Sequence, residues 1–429
     1  MKSVTINMGE NTGNYRWRVV AFLFFATTIN YVDRQILGVL APFLQAELKW
    51  SETDYSLIVT AFQAAYAVGL ISMGTLLDKI GTKTGYIIAM ITWSAAAMFH
   101  SVCRGFISFG IMRFFLGIGQ SANFPAAVKT VAEWFPKKER ALATGWFNTG
   151  SNVGAIITPL IVPAIAYKWN WKAAFIATGM LGFIWLIFWW VYYKKPEKSK
   201  VISDSEKRYI LSDDEDEKSE KITWGEILKY RQTLGICLAR FFTDPVWWFF
   251  LFWLAKFLNS RFGIDLKNIG LPLVIIYLIS IFGSIAGGWI SSYLIRKGVS
   301  PVKARQNTIF IMALLVVPIF FASLTGHVRV AIGLISMATF AHQGFAANIF
   351  TIVSDIYPKN AVGSMVGLSG FAGAIGGFLF APMVGLILQL TGNYYIIFAI
   401  AASAYLLCWL SLKIFVPDKT ISSKLQAKH

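Results

Sequence analysis

Charged residues are scarce in this chain, and their scarcity limits the class of protein it can be. Asp, Glu, Lys and Arg make up 14% of its 429 residues, whereas 56% are hydrophobic and the mean hydropathy is +0.58. A soluble globule needs about 25% charged residues to cover its surface. The composition therefore excludes a soluble globule and predicts a polytopic protein embedded in the lipid bilayer.

Cysteine and histidine are also rare. The three cysteines, Cys103, Cys237 and Cys408, are scattered, so we expect free thiols and neither a disulfide framework nor a metal site. The four histidines form no His-Glu-x-x-His motif, and we see no nucleophile paired with a base. We therefore expect no cofactor, no metal and no enzymatic activity.

Acidic residues are outnumbered by basic ones, which gives a net charge of +17. In a soluble chain this would suggest a nucleic-acid partner. Here 27 of the 39 Lys and Arg fall in alternate loops and tails and eight fall in the opposite loops. By the positive-inside rule both termini are then cytoplasmic, in a multi-pass protein of the cell (inner) membrane with no nucleic-acid partner. Four cations remain at membrane depth: Arg34, Arg113, Lys129 and Arg240.

Apolar runs predict twelve transmembrane helices, six on either side of a polar segment. We expect an all-α integral membrane fold with a six-helix bundle at 1–193, a cytoplasmic linker at 194–231 and a second six-helix bundle at 232–429. Ser51 as N-cap, with Asp54 in the first turn, predicts the start of the second span. The predicted spans lie near 19–43, 50–77, 85–102, 106–131, 141–167, 173–193, 232–258, 269–295, 304–325, 328–352, 361–390 and 394–416.

The two halves are also related in sequence. The segment 131–137 (VAEWFPK) has a counterpart at 353–359 (VSDIYPK), and at the same offset of 222 residues Gly154 corresponds to Gly376. Both segments connect the fourth and fifth spans of their half. This pattern indicates a parallel repeat about an axis along the membrane normal, with a substrate site between the bundles near the midplane.

A polar stretch, Asn30-Tyr31-Val32-Asp33-Arg34, interrupts the first apolar segment. Neither flanking run, 19–29 or 36–43, is long enough to cross a bilayer alone. A charge at this depth costs at least a few kcal/mol unless it is paired or faces a water-filled cavity, which indicates a transport pathway or proton site. A signal peptide is the alternative for the first run, but no small-residue cleavage site follows it.

The loop between the second and third spans, Gly74-Thr-Leu-Leu-Asp78-Lys79-Ile-Gly81, resembles the signature that the major facilitator superfamily carries there. We expect Gly74 to allow close helix packing and Asp78 to pair with lysines or helix N-termini of its own bundle, forming a gate. The second half has Ser292 where the acid would be, which predicts a weaker latch. An ordinary basic loop is the alternative.

Three further segments are informative, namely 30–34 (NYVDR), 117–126 (GIGQSANFPA) and 133–141 (EWFPKKERA). Together they resemble the anion:cation symporter family, which includes bacterial hexuronate and galactonate importers. The resemblance covers nearly the whole chain and implies a monomeric symporter that imports hexuronates (glucuronate or galacturonate) with protons by alternating access. An aldonate such as galactonate, or another organic anion, is the alternative substrate. A channel is disfavoured because no pore-loop filter is visible. Within that family, 147–155 (FNTGSNVGA) and 341–343 (AHQ) are most similar to the hexuronate transporters.

The resemblance also implies roles for charged residues. The family uses an acid in the first span and a glutamate in the fourth as proton sites, and arginines for the substrate carboxylate. Here these are Asp33, with Arg34 and Arg113, but the glutamate position holds Gln120, which cannot titrate. The number of coupled protons is therefore open. The alternative for Arg113 is a permanent ion pair with Asp33 that only joins two helices.

Polar side chains on otherwise apolar spans complete the candidate substrate site. Sugar hydroxyls need donors and acceptors at fixed positions, although each such side chain can instead hydrogen-bond a neighbouring helix. Gln120 can serve in the same way. The other predicted contacts are Tyr31, Tyr66, Asn123, Asn148, Ser151, Asn152, Gln343 and Asn348.

Several membrane-depth residues have other interpretations. We expect His342 to be a packing residue in preference to a proton relay, and Lys129 to form a salt bridge with Glu133. Asp244, which a proline follows, could shape a hinge or bind a proton, and the sequence leaves both open. The aromatic cluster 247–250 is interpreted as interface belt and packing, and not as a sugar platform.

Overall fold

The structure, a computed structural model, describes residues 13–199, 201–211, 224–357 and 359–418, and long helices dominate them. Short loops connect the helices, and a single turn at Ala122 separates α4 from α5. The helices are α1 (Tyr15–Leu48), α2 (Glu52–Ile80), α3 (Thr82–Phe99), α4 (Phe106–Ser121), α5 (Asn123–Trp134), α6 (Lys137–Lys168), α7 (Trp171–Tyr192), α8 (Asp204–Ile210), α9 (Trp224–Ile227), α10 (Arg231–Phe262), α11 (Gly270–Arg296), α12 (Pro301–Val316), α13 (Phe320–Leu324), α14 (Val328–Ile356), α15 (Lys359–Thr391) and α16 (Tyr395–Phe415).

Ten segments of the described chain are long and apolar enough to cross a membrane. The two predicted spans missing from this set have identifiable causes. Helix α1 carries the polar stretch 30–34, and the fourth span is divided at Ala122 into two shorter helices. At 34 residues α1 is about 50 Å long, which is more than a bilayer needs. The protein is therefore a multi-pass membrane protein, and among the described residues α1 and the α4–α5 pair stand beside the ten apolar spans.

Local sequence signals fix the ends of α2. The Ser51 hydroxyl accepts a hydrogen bond from the Asp54 backbone N–H at 3.0 Å, and the Asp54 carboxylate accepts one from the Ser51 N–H at 2.9 Å. This capping box confirms the predicted start of the second span. At the other end Gly81 has φ +83°, a left-handed conformation that favours glycine and lets α3 follow at once.

Paired glycines show that the two halves repeat one packing arrangement. A Cβ on Gly154 of α6 would lie 2.7 Å from the Thr28 carbonyl oxygen of α1. A Cβ on Gly376 of α15 would lie 2.3 Å from the Phe241 carbonyl oxygen of α10. The fifth helix of each half therefore packs against the first through an equivalent glycine, as the sequence repeat predicts.

The helices before residue 194 (the first half) meet those after 231 (the second half) at one end of the molecule. Lys256 near the end of α10 forms an ion pair with Glu52 at the start of α2, and the Tyr55 hydroxyl donates to the Phe252 carbonyl. Gly38 of α1 packs directly on the Leu251 carbonyl. We call this the closed end. Among described residues, no hydrogen bond or ion pair joins the halves at the opposite end, which we call the open end.

Candidate functional site

Arg34 lies near the middle of α1 inside a cage of aromatic rings. Its guanidinium carbon is 4.8 Å from the ring centroids of both Tyr31 and Tyr66, 5.4 Å from Phe62 and 5.2 Å from Trp248. Three rings belong to the first half, whereas Trp248 comes from α10, so the cage closes across the boundary between the halves. Each such contact stabilises a partly desolvated cation by about 0.5–2 kcal/mol. The rings hold the charge without neutralising it.

Two neutral amides orient the Arg34 guanidinium. Its Nε donates to Gln120 Oε1 at 3.0 Å and its Nη2 donates to Asn30 Oδ1 at 3.0 Å. The Gln120 amide in turn donates to the Asn30 carbonyl at 2.9 Å. Nη1 remains for another acceptor, and no described carboxylate forms an ion pair with Arg34. The arginine is thus a positioned and uncompensated cation.

Asp33 points away from Arg34, into the interior of the first half. Its carboxylate is fully buried, both oxygens lack a hydrogen-bond partner, and Thr178 of α7 and Arg113 of α4 are its polar neighbours. Successive helical residues are about 100° apart around the axis, so adjacent side chains face different surroundings. The sequence predicted both residues but not that they would be separated in this way.

Arg113 is also fully buried, and its side chain contacts the backbone of Arg34. Its Nη1 donates to the Arg34 backbone carbonyl at 3.0 Å, and its Nε and Nη2 have no partner. Because Asp33 and Arg113 are not within ion-pair distance of 4.0 Å, the alternative of a permanent ion pair between them is wrong for this structure. Two opposite charges share the interior of the first half without a hydrogen bond between them.

The second half carries a complete ion pair at membrane depth. Arg240 donates through Nη2 and Nε to Asp244 Oδ2, at 2.8 and 3.1 Å, and each side chain is 17% exposed.

His342 lies 2.6 Å from the Tyr405 hydroxyl and stacks on Trp247 with ring centroids 4.6 Å apart. This stacked and hydrogen-bonded histidine fits the interpretation as a packing residue.

The predicted hydroxyl-binding side chains have different locations. Tyr31 and Tyr66 belong to the Arg34 cage. Asn123 is buried, with its oxygen accepting from the Tyr86 hydroxyl at 2.6 Å. Asn348 is also buried, and its nitrogen donates to the Gly344 and Gly287 carbonyls at 2.8 and 3.1 Å. The Asn123 side chain therefore bonds to α3, and the Asn348 side chain bonds to α11 and to its own helix. Contact of either side chain with a substrate stays a prediction.

Three others lie on α6 and one on α14. Asn148 is exposed, and the Ser151 hydroxyl donates back to its carbonyl at 2.7 Å within the same helix. Asn152 and Gln343 are half-buried. Their contact with a substrate stays a prediction.

Trp248 is the main site residue that the sequence interpretation missed. It is buried next to Arg34, so assigning cluster 247–250 to an interface belt was wrong, whereas the packing interpretation holds. A usable signal existed, because Arg240, Asp244, Trp248 and Phe252 are each four residues apart and share one face of α10. Gln63 was also missed. It is buried beside Trp248 at Gly377, and its Oε1 has no partner.

The gate loop agrees only in part with expectation. A Cβ on Gly74 would have nothing within 4 Å, so close helix packing is not its role here, and Lys79 is exposed. Gly81 forms the turn already described. The Asp78 side chain lies outside the described residues, and its pairing stays a prediction.

Lys129 and Glu133 do not form the predicted salt bridge. Lys129 donates to the Leu77 carbonyl at the end of α2, at 2.9 Å. Glu133 accepts from Thr82 at 2.7 Å and from Tyr193 at 2.6 Å. The two side chains therefore join different neighbouring elements. Burial and the adjacent Glu133 carboxylate raise the pKa of Tyr193 well above its usual range, which keeps this residue a hydrogen-bond donor.

The chain belongs to the Major Facilitator Superfamily, whose family profile matches residues 23–381. It is 33% identical to the hexuronate transporter of Escherichia coli (strain K12) over 382 residues, 88% of each chain. It is 31% identical to the D-galactonate transporter of Escherichia coli O6:H1 over 390 residues, 88% of this chain and 90% of that one.

Solved structures show the same fold. A bacterial homolog of the human lysosomal transporter Spinster has a TM-score of 0.75 at 18% identity, covering 95% of this chain and 99% of that one. A D-xylose-proton symporter has a TM-score of 0.73 at 14% identity, covering 95% of this chain and 100% of that one. The predicted fold and family are confirmed, and the protein is a transporter and not an enzyme.

Proposed function

We propose that this protein imports sugar acids together with protons, with hexuronates such as glucuronate and galacturonate as the first candidates. The observation that supports this most strongly is Arg34, a cation between the two halves that has no acidic partner among the described residues and whose Nη1 is left for an acceptor. A substrate carboxylate bound there would form charge-assisted hydrogen bonds, which are about twice as strong as neutral ones. The hexuronate and galactonate relatives also point to a carboxylate-bearing sugar.

The closed end suggests how transport proceeds. We divide the chain into bundles at 1–193 and 232–429 that rock about the midplane site, and the positive-inside rule places both termini in the cytoplasm. The closed end then faces outward, and the described state is open to the cytoplasm. Opening outward has to break the Glu52–Lys256 pair and the packing of Gly38 on Leu251.

Asp33 is the proposed proton site. It is a buried acid without hydrogen bonds, in the residue next to the arginine that would hold the substrate. An anion on Arg34 and a proton on Asp33 support one another, because each offsets the charge the other brings into a medium of low dielectric constant. With Gln120 unable to titrate, one proton accompanies one monoanionic sugar acid, and the net charge moved is zero.

Uptake into proteoliposomes containing the purified protein tests this proposal. A panel of uronates and aldonates competes against one labelled uronate, with an inward proton gradient imposed or collapsed. We expect saturable uptake that the gradient drives and that uronates inhibit best. Aldonates inhibiting better would favour the galactonate-like alternative, and the absence of uptake or competition by any sugar acid would refute the proposal.

A further inference from the structure

The face of α10 that meets the first half continues beyond the Arg34 cage. Trp248 covers Arg34, and one turn further the Phe252 ring packs 6.1 Å from Phe62. Asp244 and Arg240 precede Trp248 by one and two turns on this same face, toward the open end. Their side chains are 17% exposed, whereas Arg34 is 4% exposed. The pair therefore lies where the halves separate, beside the Arg34 cage.

Helix α15 is shaped around this ion pair. A Cβ on Gly373 would lie 2.0 Å from the Asp244 carboxylate oxygen, and one on Gly370 would lie 3.4 Å from Arg240 Nη1. The Phe350 ring centroid lies 5.1 Å from the guanidinium carbon on another side. The pair therefore occupies a recess that needs glycine at Gly373, and its orientation is fixed by three helices.

The pair offers one donor and one acceptor side by side. Both of its hydrogen bonds use Asp244 Oδ2, from Arg240 Nε and Nη2. Arg240 Nη1 and Asp244 Oδ1 are left for other partners. A sugar hydroxyl can accept from the first and donate to the second, and the net charge of the pair is zero.

The spacing suits a single sugar acid that reaches both groups. Along α10 the rise from Asp244 to Trp248 is about 6 Å and from Arg240 about 12 Å. A six-carbon chain with bonds of about 1.5 Å is about 6 Å long, which matches the rise to Asp244. The Arg240 guanidinium lies at the same level because it hydrogen-bonds Asp244. The Tyr31 ring contacts Arg34, and Asp244 and Arg240 are among its charged neighbours.

We propose that Arg240 and Asp244 form a hydroxyl-binding subsite for the uncharged end of the substrate, and that Asp244 excludes substrates with a second carboxylate there. This inference rests on the proposed function, in which the first carboxylate binds Arg34. A hydroxyl finds both a donor and an acceptor at the pair, but a carboxylate meets a like charge, which costs several kcal/mol. The transporter should therefore take monocarboxylates, such as uronates and aldonates, and reject aldarates.

The test compares glucuronate with glucarate, its dicarboxylate analogue, as competitors of labelled glucuronate binding to the purified protein. In the unmodified protein we expect glucuronate to bind at least about tenfold more tightly, in line with the cost of like charges. Asp244→Asn removes the repelling charge and leaves Arg240 for a carboxylate, so the preference should fall toward one or reverse. Asp265→Asn, an exposed acid in the α10–α11 loop, is the matched control and should leave the preference unchanged.

The outcomes separate this inference from the function on which it rests. A folded Asp244→Asn variant with an unchanged glucuronate-to-glucarate ratio would overturn the subsite while leaving sugar-acid transport intact. If that variant does not fold, the Arg240→Gln variant tests the subsite instead. It should weaken glucuronate but not the three-carbon acid glycerate, which is too short to reach from Arg34, and equal losses for both would overturn the subsite. Failure of every sugar acid to compete in the unmodified protein would instead overturn the proposed function.

Discussion

The two halves of this transporter handle membrane-depth charge in opposite ways. In the first half, Asp33 and Arg113 are sealed from solvent and their charged atoms are largely without partners. In the second half, Arg240 and Asp244 satisfy one another and are partly exposed. Buried unpaired charges are costly, whereas a paired and exposed set is close to neutral in free energy. The first half thus holds its charges at an electrostatic cost, whereas the second half holds a pair at little cost.

Of the variants considered, removal of the unpaired Arg34 cation should lower uronate affinity the most. We expect Arg34→Ala to weaken uronate binding by about 100-fold or more, because a hydrogen-bonded charge is worth about 1.5–3 kcal/mol and the cage would lose its cation as well. Arg34→Lys should retain part of the affinity, since the rings still hold a cation but the planar fork is lost. Calorimetry on purified protein measures this, with the exposed Arg329→Ala as control; equal affinities in the Arg34 and Arg329 variants would contradict the assignment.

Neutralising the buried Asp33 should abolish coupling to the proton gradient while leaving substrate binding intact. We expect Asp33→Asn to bind and exchange uronate across the membrane but to lose accumulation driven by a pH gradient, because the group that takes the proton is gone. In the same liposomes, counterflow measures exchange of uronate and gradient-driven uptake measures its accumulation. Asp244→Asn is the comparison variant and should keep its dependence on the gradient. Gradient-driven accumulation that survived in Asp33→Asn would move the coupling site elsewhere.

Breaking the ion pair between the halves should have an intermediate effect. Glu52→Gln leaves Lys256 buried without its partner, and removing one member of a buried pair typically costs about 3–5 kcal/mol. We expect the closed end to open more often and uptake to fall by about tenfold, since partial burial weakens the full penalty. The double variant Glu52→Lys with Lys256→Glu reverses the ion pair, and it should restore part of the closure and part of the uptake. Labelling from outside the liposome of a cysteine introduced at Ser56, which is buried against Gly385 at the closed end, reports opening, and unchanged labelling would rule out a latch.

Placing a carboxylate next to Arg34 should change substrate affinity the least of these variants. Gln120→Glu would place a carboxylate where the amide oxygen now accepts from Arg34 at 3.0 Å. At neutral pH it would compete with the substrate, and we expect affinity to fall by about threefold to tenfold, the range of a modest electrostatic contact. The affinity should recover at lower pH, where the new acid binds a proton and frees Arg34.

Current measurements sharpen this prediction. The unmodified protein, with one proton per monoanion, should produce almost no substrate-induced current, because zero net charge gains nothing from about 2.3 kcal/mol per charge per 100 mV. Gln120→Glu should add a proton and a positive inward current. A robust inward current from the unmodified protein would show that another coupling group exists.

Patterns along the chain predicted the spans, the repeat and the charged residues, because each is a property of hydropathy or local spacing. The partners of those residues could not be predicted in the same way. Asp33 and Arg34 are neighbours in sequence but face different helices, and a polar Asn348 looks the same whether it faces a cavity or a carbonyl of the next helix. Trp248 lies in a run of aromatic residues whose composition is that of a membrane interface. Tertiary packing decides these cases, and it depends on helices far apart in sequence.

Helices α8 and α9 fasten the segment that connects the two halves. Glu206 accepts from the first backbone N–H groups of α1 at 3.0 and 3.3 Å and pairs with Arg16, which ties α8 to the first half. On the other side, Ile227 is buried and its carbonyl accepts from Thr233 of α10. The connection between the halves is therefore held to the first half by Glu206 and to the second half by Ile227.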